Sequence, residues 1–507
     1  MKNLFSSTAS NLFKFAVGVI ITFVMTPVYV RELGNYDYGI SEMILSLVGY
    51  FGLIDMGLRP TISRFTAFFR GGKEPQKSEA LFTTSFVLMS MVGVVIAAIL
   101  LGWSFIAPER LAPEGGSPAR YAVVLQLFAL QVLLACPRYS MESTFEGQLQ
   151  YSLKNNVIIF HTIASAVALY YMLPHYDPLV LLCWANVVQA VSKLIIFLWV
   201  LATPTYGSNR LSPARFSWDL AKEMYRFGFK SFVQGIASRI ETKADVLVIG
   251  AIIGPQAVVF YSIPQALSSR IRELVQVLSH VMMPAFAELH SAGKKDRMVD
   301  VFMISSRLIV GVLGLLGGGV VLLGGEFIRL WMGPEYAERG QVVLWCLVAY
   351  VSLSYLIPLE SRYLTAINRH GILARITIVR AILNITTSLV LVHFMGVVGV
   401  ALGSVIATAL TAPVIWAAVF KNLGVSRIRY LREVLQPTLL AVGAMTLAIY
   451  LAQHAELHEK WIGLIERAVL GGLVFVVAFY VFALTESDRV KLMGVFRAFR
   501  GSKTPAR

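Results

Sequence analysis

The sequence predicts an all-α polytopic membrane protein with about 14 transmembrane helices. Of its 507 residues, 57% are hydrophobic and only 14% are charged, whereas a soluble domain carries about 25% charged residues. Several apolar runs are long enough to cross a hydrocarbon core of about 30 Å as helix. The strict alternation that is typical of transmembrane barrel strands is not seen in these runs.

The predicted helices follow the apolar runs in order. The first helix is expected to be retained and not cleaved as a signal peptide, because Lys14 splits its run and Pro27 lies near its outer end. Proline is also expected to kink the fourth and tenth helices, at Pro137 and Pro358. The set is 9–30, 38–58, 80–106, 119–146, 157–173, 179–201, 227–253, 258–287, 300–323, 340–367, 371–394, 397–420, 435–453 and 464–484.

Basic residues are concentrated in alternate loops, which predicts that both termini lie in the cytoplasm. The segments 59–77 and 210–226 hold nine Lys and Arg residues between them, whereas the opposite loops hold few. The net charge of +15 therefore reflects membrane topology, and nucleic acid is not expected as a partner. The three cysteines lie in apolar spans without a CxxC pair, so packing is favoured over chemistry. No metal site and no cofactor is predicted.

Three landmarks recur at an offset of 220 to 221 residues. Gly34 corresponds to Gly254, the second glycine in "RGGKEP" to the glycine in "SAGKKD", and Pro137 to Pro358. The offset predicts that helices 1–6 and 7–12 are copies. An even number of helices in each copy makes this a parallel repeat, a pseudo-twofold related by an axis along the membrane normal.

The repeat divides the chain into predicted domains. They are an N-terminal lobe at 1–202, a cytoplasmic linker at 203–226, a C-terminal lobe at 227–420, and 421–507 with two extra helices and a basic tail. Such paired lobes usually enclose a central cavity whose access alternates between the two sides of the membrane.

Charged residues inside the predicted spans are costly and mark candidate functional positions. In "RIETKADVLVIG", Arg239 and Lys243 share one face of a helix, and Glu241 and Asp245 share the roughly opposite face. Arg239 lies about 20 Å into its helix, at a depth similar to that of two arginines on the eighth helix. Those two arginines are Arg270 and Arg272.

The predicted cationic site therefore combines Arg239 and Lys243 with Arg270 or Arg272, and its ligand would be an anion. Arg380 is added to this set, although snorkelling or packing explains it equally well. A structural ion-pair network that includes residues 239–245 and binds no ligand stays open as the alternative. If an ion gradient drives transport, the candidate carriers are acids inside the spans: Glu241, Asp245 and Glu360.

Four stretches carry a resemblance to a known family. They are the segment from "TPVYVRELGNYDYGISEM" to "LIDMGLRPTISRF", then "ADVLVIGAIIGPQAVVFYSIPQAL", "GGEFIRLWMGPEYAERG" and "MGVVGVALGSVIATAL". The sequence resembles the polysaccharide-transporter branch of the multidrug/oligosaccharidyl-lipid/polysaccharide exporter superfamily, which includes O-antigen flippases. The resemblance implies a V-shaped, two-lobed flippase in the bacterial inner membrane. Its implied substrate is an undecaprenyl-pyrophosphate-linked oligosaccharide used for cell-surface polysaccharide.

Two other classes of function compete with this expectation. A multidrug or metabolite antiporter of the same superfamily is the alternative transporter, and a cavity lined mainly by Glu and Asp would favour it. A membrane polymerase or ligase needs a sizeable external loop with catalytic side chains, and the external loops here are short, so an enzyme is not expected. The expected partners are the lipid-linked oligosaccharide and membrane lipids. Na⁺ or H⁺ and polysaccharide polymerase or export proteins stay open as further partners.

Overall fold

The protein is a multi-pass membrane protein whose regular elements, in the part that the structure describes, are all helical. The computed structural model describes residues 2–51, 57–72, 74–112, 117–203, 211–280, 282–367, 369–454 and 460–484. Within these ranges, 9 helices are long and apolar enough to cross a membrane. The number of 14 crossings stays a prediction.

The chain forms two compact units, Met1–Val259 and Phe260–Arg507. These units are defined by packing, whereas the predicted lobes are defined by the repeat, so the lobe boundaries stay a prediction. The helices of unit 1 are α1 (Lys2–Phe51), α2 (Leu58–Gly71), α3 (Pro75–Ile106), α4 (Pro118–Gly147), α5 (Tyr151–Met172), α6 (Pro178–Ala202) and α7 (Trp218–Ile252).

Local sequence explains where several of these helices begin. Proline occupies the first turn of α3, α4 and α6, where its missing N–H has no partner to lose. Asp177 caps α6 by accepting hydrogen bonds from the backbone N–H groups of Leu179 and Val180, both at 3.1 Å. Ser217 caps α7 by accepting from the N–H of Leu220 at 3.2 Å.

Glycine interrupts the long helices at the turns that the sequence predicted. Gly34 divides α1 with φ 71°, and Gly254 separates α7 from the next helix with φ 122°. These backbone conformations are strained for any residue with a Cβ. The predicted break between helices one and two is therefore confirmed as a kink at Gly34.

The segment predicted as a basic loop after helix two contains the amphipathic helix α2. Leu58, Ile62 and Phe69 are buried, whereas Phe68 and Arg70 are exposed. The buried face packs against α3 and α7 in one core cluster. The sequence reading missed α2 because this helix is short and its basic face was counted as a topological signal. The predicted helix at 38–58 is described only up to Phe51, and Asp55 lies outside the described residues.

Unit 2 begins within α8 (Pro255–His280). Its other helices are α9 (Met282–Ser291), α10 (Lys295–Trp331), α11 (Pro334–Ser354), α12 (Glu360–Ala366), α13 (His370–Leu423), α14 (Arg427–Tyr430), α15 (Gln436–Gln453) and α16 (Lys460–Phe482). Gly396, with φ 57°, breaks α13 as Gly34 breaks α1.

Two features of unit 2 refine the predicted helices. The helix predicted at 340–367 is broken between α11 and α12, around Pro358, because proline cannot continue a regular helix. Pro137, in contrast, lies inside the continuous helix α4. The two additional C-terminal helices, α15 and α16, pack on α10, where Arg467 of α16 donates to Glu326 at 2.5 Å.

Candidate functional site

Helix α4 carries three charged residues on one face. Arg138, Glu142 and Glu146 are spaced four residues apart, which places their side chains in one row along the helix. Arg138 forms an ion pair with Glu142, and both side chains are largely buried. Since charges are expensive inside a membrane protein, this row needs partners from neighbouring helices.

Helix α5 supplies one of these partners. The Lys154 Nζ lies 2.6 Å from Glu146 Oε1 and 5.3 Å from the centre of the Tyr151 ring. The next residue, Asn155, is fully buried and donates to Ser10 Oγ at 3.1 Å and to Asn11 Oδ1 at 2.7 Å. These two bonds join the beginning of α5 to α1.

Helices α1 and α6 add two more cations. Lys14 lies within electrostatic range of Lys154, Glu142 and Glu146. Lys193 donates to Gln189 Oε1 at 2.8 Å and lies within electrostatic range of Arg138 and Glu142. Neither Lys14 nor Lys193 forms an ion pair in the part of the chain that the structure describes.

We call this group of six residues the cationic cluster: Lys14, Arg138, Glu142, Glu146, Lys154 and Lys193. Four cations face two carboxylates, so the cluster has a formal charge excess of two positive charges. Arg138 is nine residues from the end of α4 at Gly147, or about 13 Å along the helix. The cluster therefore lies in the part of unit 1 that is nearer the predicted cytoplasmic side.

The cationic cluster is chemically suited to an anion. Its two ion pairs neutralise Arg138 and Lys154, whereas Lys14 and Lys193 provide the charge excess. Arginine and lysine hydrogen bonds to phosphate oxygens are charge-assisted and therefore strong. An anion entering here would complete the neutralisation of cations that are already held on four helices.

A second charged group lies at the opposite end of α4 from the cationic cluster. Arg120 donates to both carboxylate oxygens of Asp177, at 2.5 and 2.8 Å, and to Asp37 at 2.6 Å. Tyr121 also donates to Asp37, at 2.7 Å. The Arg120 hydrogen bonds hold the pKa of Asp177 below its ordinary value. Because all of its charges are paired, this group connects α1, α4 and α6 and is not a candidate ligand site.

The structure places the residues of "RIETKADVLVIG" on α7, in unit 1. The side chains of Arg239 and Glu241 lie outside the part that the structure describes. Lys243 lies beside the second half of α1, within electrostatic range of Glu42. Asp245 is buried, with 2% of its surface exposed.

The remaining predicted site residues belong to unit 2. Arg270 pairs with Glu273 on its own helix at 2.8 Å, and Arg272 is partly buried. Arg380 is buried, and its Nε donates to Thr411 Oγ1 at 3.0 Å. Glu360 begins α12. The proposed cavity formed jointly by these residues and those of α7 stays a prediction.

Sequence reasoning did not select the cationic cluster as a site. Several of the charges on the predicted first, fourth and sixth helices lie near helix ends, where a long side chain can snorkel to the interface. Lys154 falls between the predicted helices 119–146 and 157–173, but the structure places it in the first turn of α5. The available signal was the i, i+4, i+8 spacing of Arg138, Glu142 and Glu146, which predicts a charged row on one helix face.

Comparison with known proteins gives a consistent set of relatives. The family model described as "Polysaccharide biosynthesis protein" matches residues 1–290. A Shigella flexneri protein, provisionally named an O-antigen transporter, is 23% identical over 66% of this chain and 78% of its own length. A Bacillus subtilis membrane protein, named as uncharacterized, is 22% identical over 97% of this chain and 98% of its own.

Two solved structures with a similar fold are a lipid II flippase and a multidrug transporter. A lipid II flippase in an inward closed conformation has a TM-score of 0.69 at 14% identity, covering 94% of this chain and 98% of that one. An inward-facing multidrug transporter has a TM-score of 0.65 at 14% identity, covering 82% and 94%. At this identity, the likeness shows a shared fold of membrane-spanning helices.

Proposed function

Because the chain belongs to the polysaccharide biosynthesis protein family, we propose that it is a flippase for an undecaprenyl-pyrophosphate-linked oligosaccharide. The oligosaccharide would move from the inner to the outer leaflet of the bacterial inner membrane and serve cell-surface polysaccharide synthesis. The name of the Shigella flexneri relative supports this substrate class. The activity is transport by alternating access, and no covalent bond is made or broken.

The observation that carries the proposal is the cationic cluster. Its two excess positive charges suit a pyrophosphate, which presents several anionic oxygens to surrounding donors. Its depth also fits, because a headgroup arriving from the cytoplasmic leaflet would meet the cluster before it reached the membrane centre. A site of this sign repels the cationic drugs that a multidrug antiporter would carry, so the flippase is favoured over the antiporter.

The membrane potential supports the proposed direction of transport. An anion leaving a negative cytoplasm gains about 2.3 kcal/mol per charge for each 100 mV. A pyrophosphate headgroup would therefore be drawn outward with or without an ion gradient. If Na⁺ or H⁺ is coupled, Glu241, Asp245 and Glu360 are the proposed carriers, and a polysaccharide polymerase or export protein is the proposed downstream partner.

The proposed orientation places both termini in the cytoplasm. It rests on the basic loops, which put the segment 59–77 and the start of α7 on the cytoplasmic side. This orientation also places the Arg120 group on the outer side.

Neutralising Lys193 tests the proposal. Lys193→Gln removes one of the two excess charges, and it leaves no carboxylate without its ion-pair partner, because both carboxylates keep Arg138 and Lys154. We expect surface glycan to fall about tenfold while the amount of membrane protein is unchanged, since a lost charge-assisted contact is worth about 1.5–3 kcal/mol. The matched control is Lys222→Gln, at an exposed lysine in the first turns of α7.

Surface glycan and membrane protein are measured together in each strain. Normal surface glycan in Lys193→Gln, or glycan that only follows protein abundance, would contradict the role of the cationic cluster. A loss in Lys222→Gln of the same size would show that the effect is not specific to this site.

A further inference from the structure

A groove runs between α1 and α5 in unit 1. Its volume is about 480 Å³, and ten residues of the two helices line it. On α1 the lining residues include Val17, Ile21 and Met25, and on α5 they include Ile163 and Val167. Each set recurs at steps of three or four residues, which makes a continuous apolar stripe on each helix. The stripe from residue 17 to 25 is about 12 Å long.

The groove begins where the cationic cluster ends. Lys14 precedes Val17 by one helical turn and lies on the same face of α1. At this end, the bonds from Asn155 to Ser10 and Asn11 join the two helices. The two helices run in parallel, so the groove leads from the cluster towards Tyr170 and Tyr171 at its other end.

The two neighbouring surfaces have opposite chemical character. The cluster is partly buried, polar and positively charged, whereas the groove is apolar, with exposed side chains that include Ile20, Val24 and Val167. A ligand that fits both has an anionic head joined to a long, flexible hydrocarbon chain. Bilayer hydrocarbon alone would fill the groove but would leave the cluster without an anion.

We infer that the α1/α5 groove binds the head-proximal isoprene units of the polyprenyl chain while the cationic cluster binds the pyrophosphate. The inference rests on the proposed function and assigns the lipid part of its substrate to a place in the fold. Because the apolar side chains that line the groove are exposed, the chain would lie against hydrophobic surface while the headgroup occupies the cationic cluster.

The test fills the groove without changing any charge. Ala166 lines the groove, so Ala166→Trp should exclude part of the chain. Ala168 is an exposed alanine on the same helix and outside the groove lining, so Ala168→Trp is the matched control. Binding to the full-length protein in detergent is measured with three probes: a sugar-free polyprenyl pyrophosphate, inorganic pyrophosphate and phosphatidylglycerol.

We expect Ala166→Trp to weaken the binding of polyprenyl pyrophosphate about tenfold, which corresponds to about 1.4 kcal/mol. The binding of inorganic pyrophosphate should change little, and Ala168→Trp should bind all three probes as the unmodified protein does. Should Ala166→Trp fail to fold, Val167→Ala, which removes lining surface, should weaken only the polyprenyl probe, by about three- to tenfold.

Three results would overturn the inference. Phosphatidylglycerol that binds as tightly as polyprenyl pyrophosphate would make the groove a general lipid site. Undiminished binding of polyprenyl pyrophosphate by Ala166→Trp, or by Val167→Ala, would place the chain elsewhere. Normal glycan export by Lys193→Gln would contradict the proposed function itself. If Lys193→Gln loses export but the groove variants bind polyprenyl pyrophosphate normally, the proposed function stands and the groove assignment fails.

Discussion

The ion pair between Glu146 and Lys154 should break asymmetrically. Its two side chains are 2.6 Å apart, but Lys154 is only 8% exposed, whereas Glu146 is 37% exposed. Glu146→Gln would leave a buried ammonium group with Lys14 as a repulsive neighbour. Lys154→Met would leave a carboxylate that water can reach. Glu146→Gln should therefore destabilise the protein more than Lys154→Met.

The exposed fractions set the expected magnitudes. Leaving a fully buried charge unpaired costs about 3–5 kcal/mol, and the partial exposure of Glu146 reduces this to about 2 kcal/mol for Glu146→Gln. Lys154→Met should cost about 1 kcal/mol, because the remaining carboxylate is hydrated. For a unit of this size, each kcal/mol lowers Tm by about 2–4 °C. The expected Tm decreases are thus about 4–8 °C and about 2–4 °C.

The assay is thermal unfolding of the two purified variants in the same detergent, together with the double variant Glu146→Gln, Lys154→Met. The double variant should recover part of the loss, because neither charge is then left unpaired. Equal Tm decreases, or a larger decrease for Lys154→Met, would refute the reasoning that burial of the lysine decides the cost.

Three further expectations concern other parts of the chain. The pKa of Asp177 is lowered in the folded state, so its bond to Arg120 stabilises the fold at pH values above the ordinary carboxyl pKa of about 4. This contribution is lost as the pH falls through the folded-state pKa. Thermal unfolding across pH 3–7 should show the loss, and Asp177→Asn should remove that pH dependence. A Cβ on Gly39 would lie 1.8 Å from the carbonyl oxygen of the first residue of α8, so Gly39→Ala should reduce the folded yield by size-exclusion chromatography, whereas Gly102→Ala, which has open space, should not. The predicted cationic site around Arg239 is separate from the cationic cluster and has its own test: Arg239→Ala should abolish glycan export at normal protein abundance. Arg239→Lys should keep part of the export, since a lysine cannot make a bidentate contact with phosphate. Normal export by Arg239→Ala would remove this residue from the predicted cationic site.

Composition and periodicity determined the class of this protein. Long apolar runs with few charges predict membrane-spanning helices, because a helix satisfies its backbone hydrogen-bonding groups within its own segment. Glycine also determined local breaks: Gly34 and Gly254 lie between predicted helices, and both have a φ that disfavours other residues. These features depend on a few neighbouring residues, so they can be read without knowing which helices meet.

The cationic cluster, in contrast, was decided by tertiary packing. Lys14, Arg138, Lys154 and Lys193 lie on four different helices and are separated by up to 179 positions in the sequence. Sequence gives each residue's approximate depth, but depth alone does not distinguish a charge that snorkels from one that pairs across helices. The packing of α1, α4, α5 and α6 brings the four cations around two carboxylates. The same packing sets the apolar stripes of α1 and α5 beside each other, which neither stripe specifies by itself.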